Sequence, residues 1–203
     1  SWCLFQRHEF PTITGYSPDR HRRCIDLSIL KKSGNYNIEK QRTLGLLDSE
    51  FNQMNKEMGR ESMHSALDHN LIATEQYSRP NRSAIDHALN RILTFDHFRY
   101  ERKPFCIASC DLKGCYDRII HAAAYLALRR VGVRRPKLLS MFSTIQRMVH
   151  KIRTSFGDSE DTYGGDDIED WDNYAQGILQ GNASGPQIWS ILSSIIFEIL
   201  TES

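Results

Sequence analysis

Apolar residues recur along this chain with two periods, one typical of helices and one typical of strands. Helical spacing of apolar side chains predicts helices over about 51–58, 60–70, 84–103, 119–131, 136–150 and 188–200. Short runs of strand-forming residues predict extended segments over 42–47 and 105–110, and a hairpin of 151–156 with 174–179; residues 25–30 are expected to form a short ordered element. Helices placed before, between and after a few strands are typical of the α+β class.

Residues at the predicted helix ends support these boundaries. Asp48 or Ser49 is expected to cap the first helix and Ser83 the third, because short oxygen-bearing side chains accept hydrogen bonds from first-turn N–H groups. Pro136 is tolerated in the first turn of the helix that it begins. Pro104 ends the helix before it, since a residue that precedes proline avoids the helical region.

The 203 residues carry 26 Lys and Arg against 25 Asp and Glu, but the two signs are unevenly distributed. Residues 118–157 contain basic side chains and no acidic ones, and this stretch precedes an acidic segment, 157–173, without Lys or Arg. A basic stretch suits a polyanion, because each phosphate contact releases a counterion; a solvated helix face is the alternative. The acidic segment lacks the spacing of a calcium loop and is expected to be disordered.

The cysteines and the apolar segments indicate a protein without a disulfide framework, a zinc site of closely spaced cysteines or a membrane span. The five cysteines form no paired framework, and Cys106, Cys110 and Cys115 lack the spacing of a zinc site, so we expect buried thiols in a reducing, intracellular compartment. The apolar run 188–200 is shorter than the about 20 residues that span a bilayer, so no membrane partner is expected. The chain begins without Met and ends inside this run, which predicts a fragment of a longer polypeptide.

Candidate chemistry lies where the predicted strand 105–110 ends. Asp111 follows this strand directly, and a carboxylate on rigid backbone can hold a hard divalent cation, which prefers oxygen ligands. Capping of a following helix is the alternative role for Asp111. Addition of a nucleotide to a primer requires in-line attack on a phosphate, which two metal ions can assist.

Several segments resemble reverse transcriptases and follow one another in the order found in that family. Residues 111–117 are similar to the first palm motif, an Asp followed five residues later by Tyr or Phe. Residues 179–186 are similar to the second motif, a Gln-Gly turn with Pro shortly after it. Upstream, residues 75–85 resemble the fingers segment of the family, with its aromatic residue, Arg and Ser, although the usual Gly-Phe is missing. Residues 31–34 and Arg42 come before this segment, in the order in which the family has its basic fingers residues.

The resemblance covers about residues 30–203, is closest to the polymerase domains of non-LTR retroelements, and implies a right-hand polymerase fold with fingers and a partial palm. The implied division is 1–35 as an N-terminal segment, 36–103 as fingers, 104–135 as the first part of the palm, 136–178 as the second part of the fingers with the insert 157–173, and 179–203 as a truncated second part of the palm. The third palm motif, an aromatic residue with Asp-Asp, is expected beyond Ser203. The chain alone is therefore expected to be inactive.

The same resemblance implies roles for individual residues. Asp111 and the carbonyl of Leu112 would bind Mg²⁺ or Mn²⁺. Tyr116 would lie under the sugar of the incoming nucleotide and exclude a ribose 2′-hydroxyl, although a buried core tyrosine is the alternative. Gln180 and Gly181 would contact the nucleotide and the templating base through a side chain and a closely approaching backbone.

Arginines are the expected phosphate contacts. Arg42 would hold the triphosphate, a role that suits the planar donor fork of a guanidinium group. Arg79 and Arg82 in the fingers segment, with Arg134 and Arg135 in the basic stretch, are the residues expected to contact nucleic acid.

The resemblance thus implies an RNA-directed DNA polymerase that adds deoxynucleotides to a primer by two-metal catalysis. Its partners would be an RNA template, a DNA primer, deoxynucleoside triphosphates and the remainder of the polymerase polypeptide. An RNA-templated RNA polymerase is disfavoured by Tyr116, where such enzymes prefer a small residue or Asp. A catalytically decayed nucleic-acid-binding protein derived from a retroelement is the alternative from another functional class.

Overall fold

The computed structural model describes residues 10–34, 37, 41–107, 109, 111–112, 114–165 and 176–202. Its elements, in chain order, are α1 (Phe10–Thr14), a 3₁₀ turn (Asp19–Arg22), β1 (Arg23–Leu30), β2 (Gln41–Leu47), α2 (Ser49–Asp68), α3 (Ala84–Tyr100), a 3₁₀ turn (Tyr116–Arg118), α4 (His121–Arg130), α5 (Arg135–Gln146), β3 (Val149–Thr154), β4 (Gly157–Asp158), β5 (Tyr163–Gly164) and α6 (Gly185–Glu202). The α+β class expected from the sequence is confirmed.

The strands form a single mixed sheet in the order β2-β1-β3-β4, with β5 also paired to β3. β1 and β2 are antiparallel, so that Asp26 lies opposite Gly45. β1 and β3 are parallel, which places Cys24 beside His150. Among the described strands β2 pairs only with β1, so its other edge is available to a segment from elsewhere in the chain.

The hydrophobic core is built mainly by helices α2, α4, α5 and α6. Phe51 of α2, Leu128 of α4, Leu138 and Met141 of α5 and Ile188 of α6 are almost fully buried together. Each side chain of this size stabilises the fold by about 1.5–3 kcal/mol when it leaves water. The core therefore fixes α6 against α2 and α4, the helices that it contacts most.

The predicted helix caps are confirmed for α2 and α3. Asp48 Oδ1 accepts hydrogen bonds from the N–H groups of Glu50 and Phe51, at 3.0 and 3.1 Å. Ser83 and Asp86 form a reciprocal capping box at the start of α3. Both helices thus begin where the sequence places them.

The two helices predicted over 51–58 and 60–70 are one continuous helix, α2. Gly59 lies in its interior, where glycine weakens a helix by about 1 kcal/mol relative to alanine. A Cβ atom at Gly59 would lie only 3.1 Å from Ser184 Cα, just before α6. The glycine therefore allows a close approach between α2 and the segment that leads into α6, and it does not end the helix.

The predicted strand over 105–110 is wrong for residues 105–107 and 109, which the structure describes as irregular; 108 and 110 lie outside the described residues. Instead of pairing, this segment turns back on α3: the Phe105 ring stacks on Phe98 with centroids 4.9 Å apart and meets Phe95 edge-on. A strand requires a hydrogen-bonded neighbour, and the described sheet provides none at this position.

The predicted hairpin of 151–156 with 174–179 is also wrong for residues 176–179; 174 and 175 lie outside the described residues. β3 instead pairs with β1, and Gln176 forms an isolated bridge with Ile120. Residues 157–165, expected to be disordered, contain β4 and β5, which fold back on β3; 166–173 lie outside the described residues. Gly164 allows this return, because a Cβ at that position would lie 2.4 Å from the Met148 carbonyl oxygen.

Helix α3 differs from its expected packing. The sequence predicts an inward face with Ile85, Leu89 and Ile92, yet these side chains are 78%, 53% and 57% exposed, and no residue of α3 is buried. None of the helices in the described part of the chain combines the length and apolarity needed to cross a membrane.

His121 makes the stability of the fold depend on pH. The Gly177 carbonyl can only accept a hydrogen bond, so His121 Nε2 donates to it at 2.6 Å, and Nδ1 accepts from Gln146 at 3.2 Å. Burial lowers the pKa of His121 below its ordinary value of 6.5, although the Gly177 contact acts in the opposite direction. Because the unfolded chain binds the proton more readily, the free energy of unfolding falls as pH drops below about 6.5.

We therefore expect the parent to lose more stability between pH 7.5 and pH 5.5 than His121→Gln, which cannot titrate. Urea unfolding at both pH values measures this difference. Equal pH dependence in the parent and His121→Gln would contradict the prediction.

Candidate functional site

The turn at 179–185, which carries the predicted Gln180 and Gly181, is held between β2 and α2. The Gly45 N–H at the free edge of β2 donates to the Gln180 carbonyl at 2.8 Å. Asn52 of α2 clamps the turn from the other side: its Nδ2 donates to the Gly181 carbonyl at 3.1 Å, and its Oδ1 accepts from Ala183 N–H at 2.8 Å. Backbone groups of the turn are thus fixed by two different elements.

Glycine is required at position 181. Its φ of +132° is a conformation that other residues rarely adopt, and an added Cβ would lie 2.2 Å from the Gly45 carbonyl oxygen. Leu179, which precedes the turn, also has a positive φ of +62°. Inside the turn, Asn182 Oδ1 accepts hydrogen bonds from the N–H and hydroxyl of Ser184. The turn is therefore rigid and fitted to β2.

Tyr116 lies against the same turn. Its carbonyl accepts a hydrogen bond from Ile178 N–H at 3.0 Å, so the segment before the turn runs beside it. The half-buried ring lies about 3.5 Å from where a Cβ of Gly185 would stand. Burial, followed by the neighbouring Cys115, raises the pKa of Tyr116. The structure thus places Tyr116 beside the turn that carries Gln180 and Gly181, and Gly185 packs against one part of the Tyr116 ring.

Arg42 lies on β2, the strand that also provides Gly45. It is opposite Ile29 in the hairpin and is exposed. Within the described residues its guanidinium group makes no hydrogen bond or ion pair. Arg42 is thus available to an anionic ligand. It lies three residues before Gly45, the residue through which β2 contacts the turn.

Asp111 and Leu112 are exposed and lie in an irregular segment, not on a strand tip. Asp111 makes no hydrogen bond or ion pair within the described residues, and it precedes no helix directly, so the helix-cap alternative is not realised. Two clusters of potential metal ligands occur in the described part of the chain, and neither contains Asp111. A single exposed carboxylate does not by itself make a Mg²⁺ site, and the prediction that Asp111 is one of several metal ligands stays a prediction.

Ion pairing divides the basic stretch into two groups. Arg130 pairs with Glu198 at 3.0 Å, Arg153 pairs with Asp158, and Arg129 donates to a backbone carbonyl. Arg134 and Arg135, at the start of α5, are exposed, and their side chains have no such partner among the described residues. Arg134 and Arg135, which were predicted to contact nucleic acid, are therefore available to bind a polyanion.

Arg79 and Arg82 lie in the loop before α3. The Arg82 guanidinium group lies over the Tyr77 ring, 5.9 Å from its centroid, and is exposed, while Arg79 is half-buried near Glu75. A stacked guanidinium group keeps its charge and is held in place by the ring. Arg82 is thus held in a more definite position than Arg79.

A serine seam, formed by Ser190, Ser193 and Ser194 of α6, binds this loop and was missed by the sequence analysis. Gln76 Nε2 donates to the Ser193 hydroxyl at 2.7 Å, and the hydroxyls of Ser78 and Ser190 lie 2.8 Å apart. The three serines have the i, i+3, i+4 spacing of one helix face. That spacing within an apolar helix is the signal that could have revealed a polar contact.

No family model and no curated protein matches the chain. The roles of the candidate residues therefore depend on their chemistry and placement.

The close approach of Gly181 to Gly45 gives a testable consequence. Gly181→Ala adds both the strain of a positive φ, about 1–3 kcal/mol, and a collision with the Gly45 carbonyl. Gly157→Ala is a matched control, because Gly157 has a similar φ of +122° but open space around it. Urea unfolding should show a larger loss of stability for Gly181→Ala, and equal losses would show that the turn is not seated on β2.

Proposed function

We propose that this chain forms the fingers and part of the palm of an RNA-directed DNA polymerase, in which deoxynucleotides are added to a DNA primer on an RNA template. One observation carries the proposal: three separately recognised segments are linked by backbone contacts, from β2 to the turn at 180–181 and from the 3₁₀ turn to Ile178, which precedes that turn. These are β2 with Arg42, the 3₁₀ turn with Tyr116, and the turn with Gln180 and Gly181. Sequence order alone does not require that proximity.

The geometry supports distinct roles for the three segments. Tyr116 presents a flat ring that is supported on one part by Gly185, which suits contact with a sugar face. Gly181 fits the turn closely against β2, which would hold the neighbouring Gln180 in place for contact with an incoming base. Arg42 lies on the neighbouring strand and has no partner among the described residues, and the planar fork of its guanidinium group suits phosphate oxygens. A nucleotide bound here would be contacted at its phosphates, sugar and base by different elements.

The chemical step requires more than these residues. Attack of a primer hydroxyl on the triphosphate is assisted by metal ions, and the described residues provide only Asp111 towards them. We therefore propose that this chain binds nucleotide and nucleic acid but does not extend a primer by itself. The other residues that bind Mg²⁺ would come from the rest of the polymerase polypeptide.

Primer extension tests the polymerase proposal. The chain would be extended along its own reading frame beyond Ser203 and assayed on an RNA template with Mg²⁺ and deoxynucleotides. We expect extension by the parent and a loss of about 100-fold or more in Asp111→Asn, since several kcal/mol of transition-state stabilisation would be removed.

Asp117→Asn is the matched control for that experiment. Asp117 is an exposed carboxylate close to Asp111 in sequence, and the side chain lies near Gly114. It should leave the rate within a few-fold of the parent. Extension that survives Asp111→Asn would contradict the assignment of Asp111, and absence of extension by the parent would favour the binding-only alternative.

The binding-only alternative, a catalytically decayed nucleic-acid-binding protein, is favoured by the isolation of Asp111 and the availability of Arg134 and Arg135. Both proposals predict salt-dependent binding of an RNA–DNA duplex by the chain itself. Replacement of both arginines by Gln should reduce the slope of log K against log salt by up to about 2, because each lost phosphate contact removes about 0.9.

Arg130→Gln is the control for duplex binding, because Arg130 is already paired with Glu198. Its slope should equal that of the parent. Fluorescence anisotropy over a series of salt concentrations measures both effects. An unchanged slope in the double variant would remove Arg134 and Arg135 from the nucleic-acid interface.

A further inference from the structure

Four side chains with metal-binding or hydrogen-bonding chemistry lie together on one face of the sheet. Cys24 and Asp26 are two residues apart on β1, so they point to the same side. His150 of β3 lies beside Cys24 in the parallel pair, and Tyr163 of β5 lies opposite His150. The register of three strands therefore assembles the group from distant parts of the sequence.

The potential ligands are buried and close to one another. Cys24, Asp26 and His150 are 2%, 5% and 7% exposed, and one ligand atom from each lies within 4.8 Å of the others. Cys24 Sγ lies 3.6 Å from Asp26 Oδ1, and His150 Nδ1 lies 2.9 Å from Asp26 Oδ2. Tyr163 donates its hydroxyl proton to Asp26 Oδ2, and its ring stacks on His150.

We propose that Cys24, Asp26 and His150 form a binding site for a zinc ion. Tetrahedral zinc with bonds of about 2.3 Å to sulfur and 2.0 Å to oxygen or nitrogen places a sulfur about 3.5 Å from an oxygen ligand, and a nitrogen about 3.3 Å from it. The sulfur–oxygen distance in the structure is thus within about 0.1 Å of that value. The sulfur contact is to Asp26 Oδ1 and the nitrogen contact is to Oδ2, so the carboxylate would have to rotate or bind through both oxygens for the three residues to share one ion.

The chemistry of the donors matches a borderline cation of this kind. Thiolate, imidazole and carboxylate together are typical zinc ligands, whereas Mg²⁺ and Ca²⁺ prefer oxygen donors. Three protein ligands leave a fourth position, which water fills. The ring of Tyr163, which is 49% exposed, stands between His150 and solvent, so it marks the side from which an ion and this water would enter.

Charge also favours a cation at this position. Zinc binds a cysteine as its thiolate, so the Cys24 thiol would lose its proton when an ion enters. Zinc binding would release that proton to solvent and form the sulfur–zinc bond, with no change in oxidation state. Two adjacent buried anions, the thiolate and the Asp26 carboxylate, would then be balanced by the charge of the ion.

The site lies next to the turn described above. A Cβ at Gly45 would lie 3.1 Å from Cys24 Sγ and 3.7 Å from Asp26 Oδ1, and the N–H of the same glycine holds the Gln180 carbonyl. Zinc would join β1 to β3 directly behind this glycine. In this proposal the ion acts through the position of β2 and not through contact with a nucleotide.

Titration of the metal-stripped chain with Co²⁺, followed by Zn²⁺, tests the site. We expect a thiolate-to-cobalt charge-transfer band in the near ultraviolet that saturates at one equivalent and disappears when Zn²⁺ is added. Cys24→Ser should abolish the band, and Cys106→Ser, which changes an exposed cysteine outside the cluster, should leave it unchanged. Circular dichroism of each metal-free variant establishes that it is folded.

Two further variants separate zinc binding from a hydrogen-bonded network. Tyr163→Phe should keep the band but weaken affinity by about 10–100-fold, because the hydroxyl only orients the Asp26 ligand. Asp26→Asn should weaken Co²⁺ binding at least as strongly. A folded parent that gives no band, or a band that persists in Cys24→Ser, would overturn the proposal and leave the cluster as a hydrogen-bonded network without metal.

Discussion

The contact between the Gly45 and Gly181 backbones is the constraint on which the candidate site depends. It joins an edge strand near the start of the chain to a turn that precedes the last described helix, with Gly45 N–H donating to the Gln180 carbonyl. A side chain at 181 would collide with the Gly45 carbonyl, so glycine is needed for the two backbones to come this close. Through it, the position of Arg42 on β2 is coupled to the position of the segment that supports Tyr116.

The sheet supports this contact from behind. Parallel pairing of β1 with β3 holds Asp26 near His150, and β5 adds Tyr163 to the same group. Burial alone would raise the pKa of Asp26, but hydrogen bonds from His150 and Tyr163 outweigh it and lower the pKa. The carboxylate is thus ionised and fully satisfied at neutral pH, and it stabilises an arrangement of strands that lies within a few ångströms of Gly45.

Local signals in the sequence were sufficient for some parts of the fold and not for others. The caps Asp48 and Ser83 were predictable because a cap depends on residues within one turn. The pairing of β3 with β1 was not, since parallel pairing depends on residues far apart in sequence and on the return allowed by Gly164. Aromatic packing of Phe105 on α3 likewise replaced a strand that the local pattern favoured. For the candidate site, Tyr116 and the glycine turn were recognised from motifs, whereas Asn52 and the buried Cys24 cluster have no short-range signature.

The serine seam has a consequence for how α6 holds its neighbouring loop. Each of its three hydroxyls donates to a carbonyl one turn earlier in α6, while the loop residues Ala73 and Gln76 donate to two of them. The helix thus satisfies its own hydroxyl protons whether or not the loop is docked. The loop that carries Arg79 and Arg82 therefore docks on α6 without breaking any hydrogen bond that these hydroxyls make within the helix.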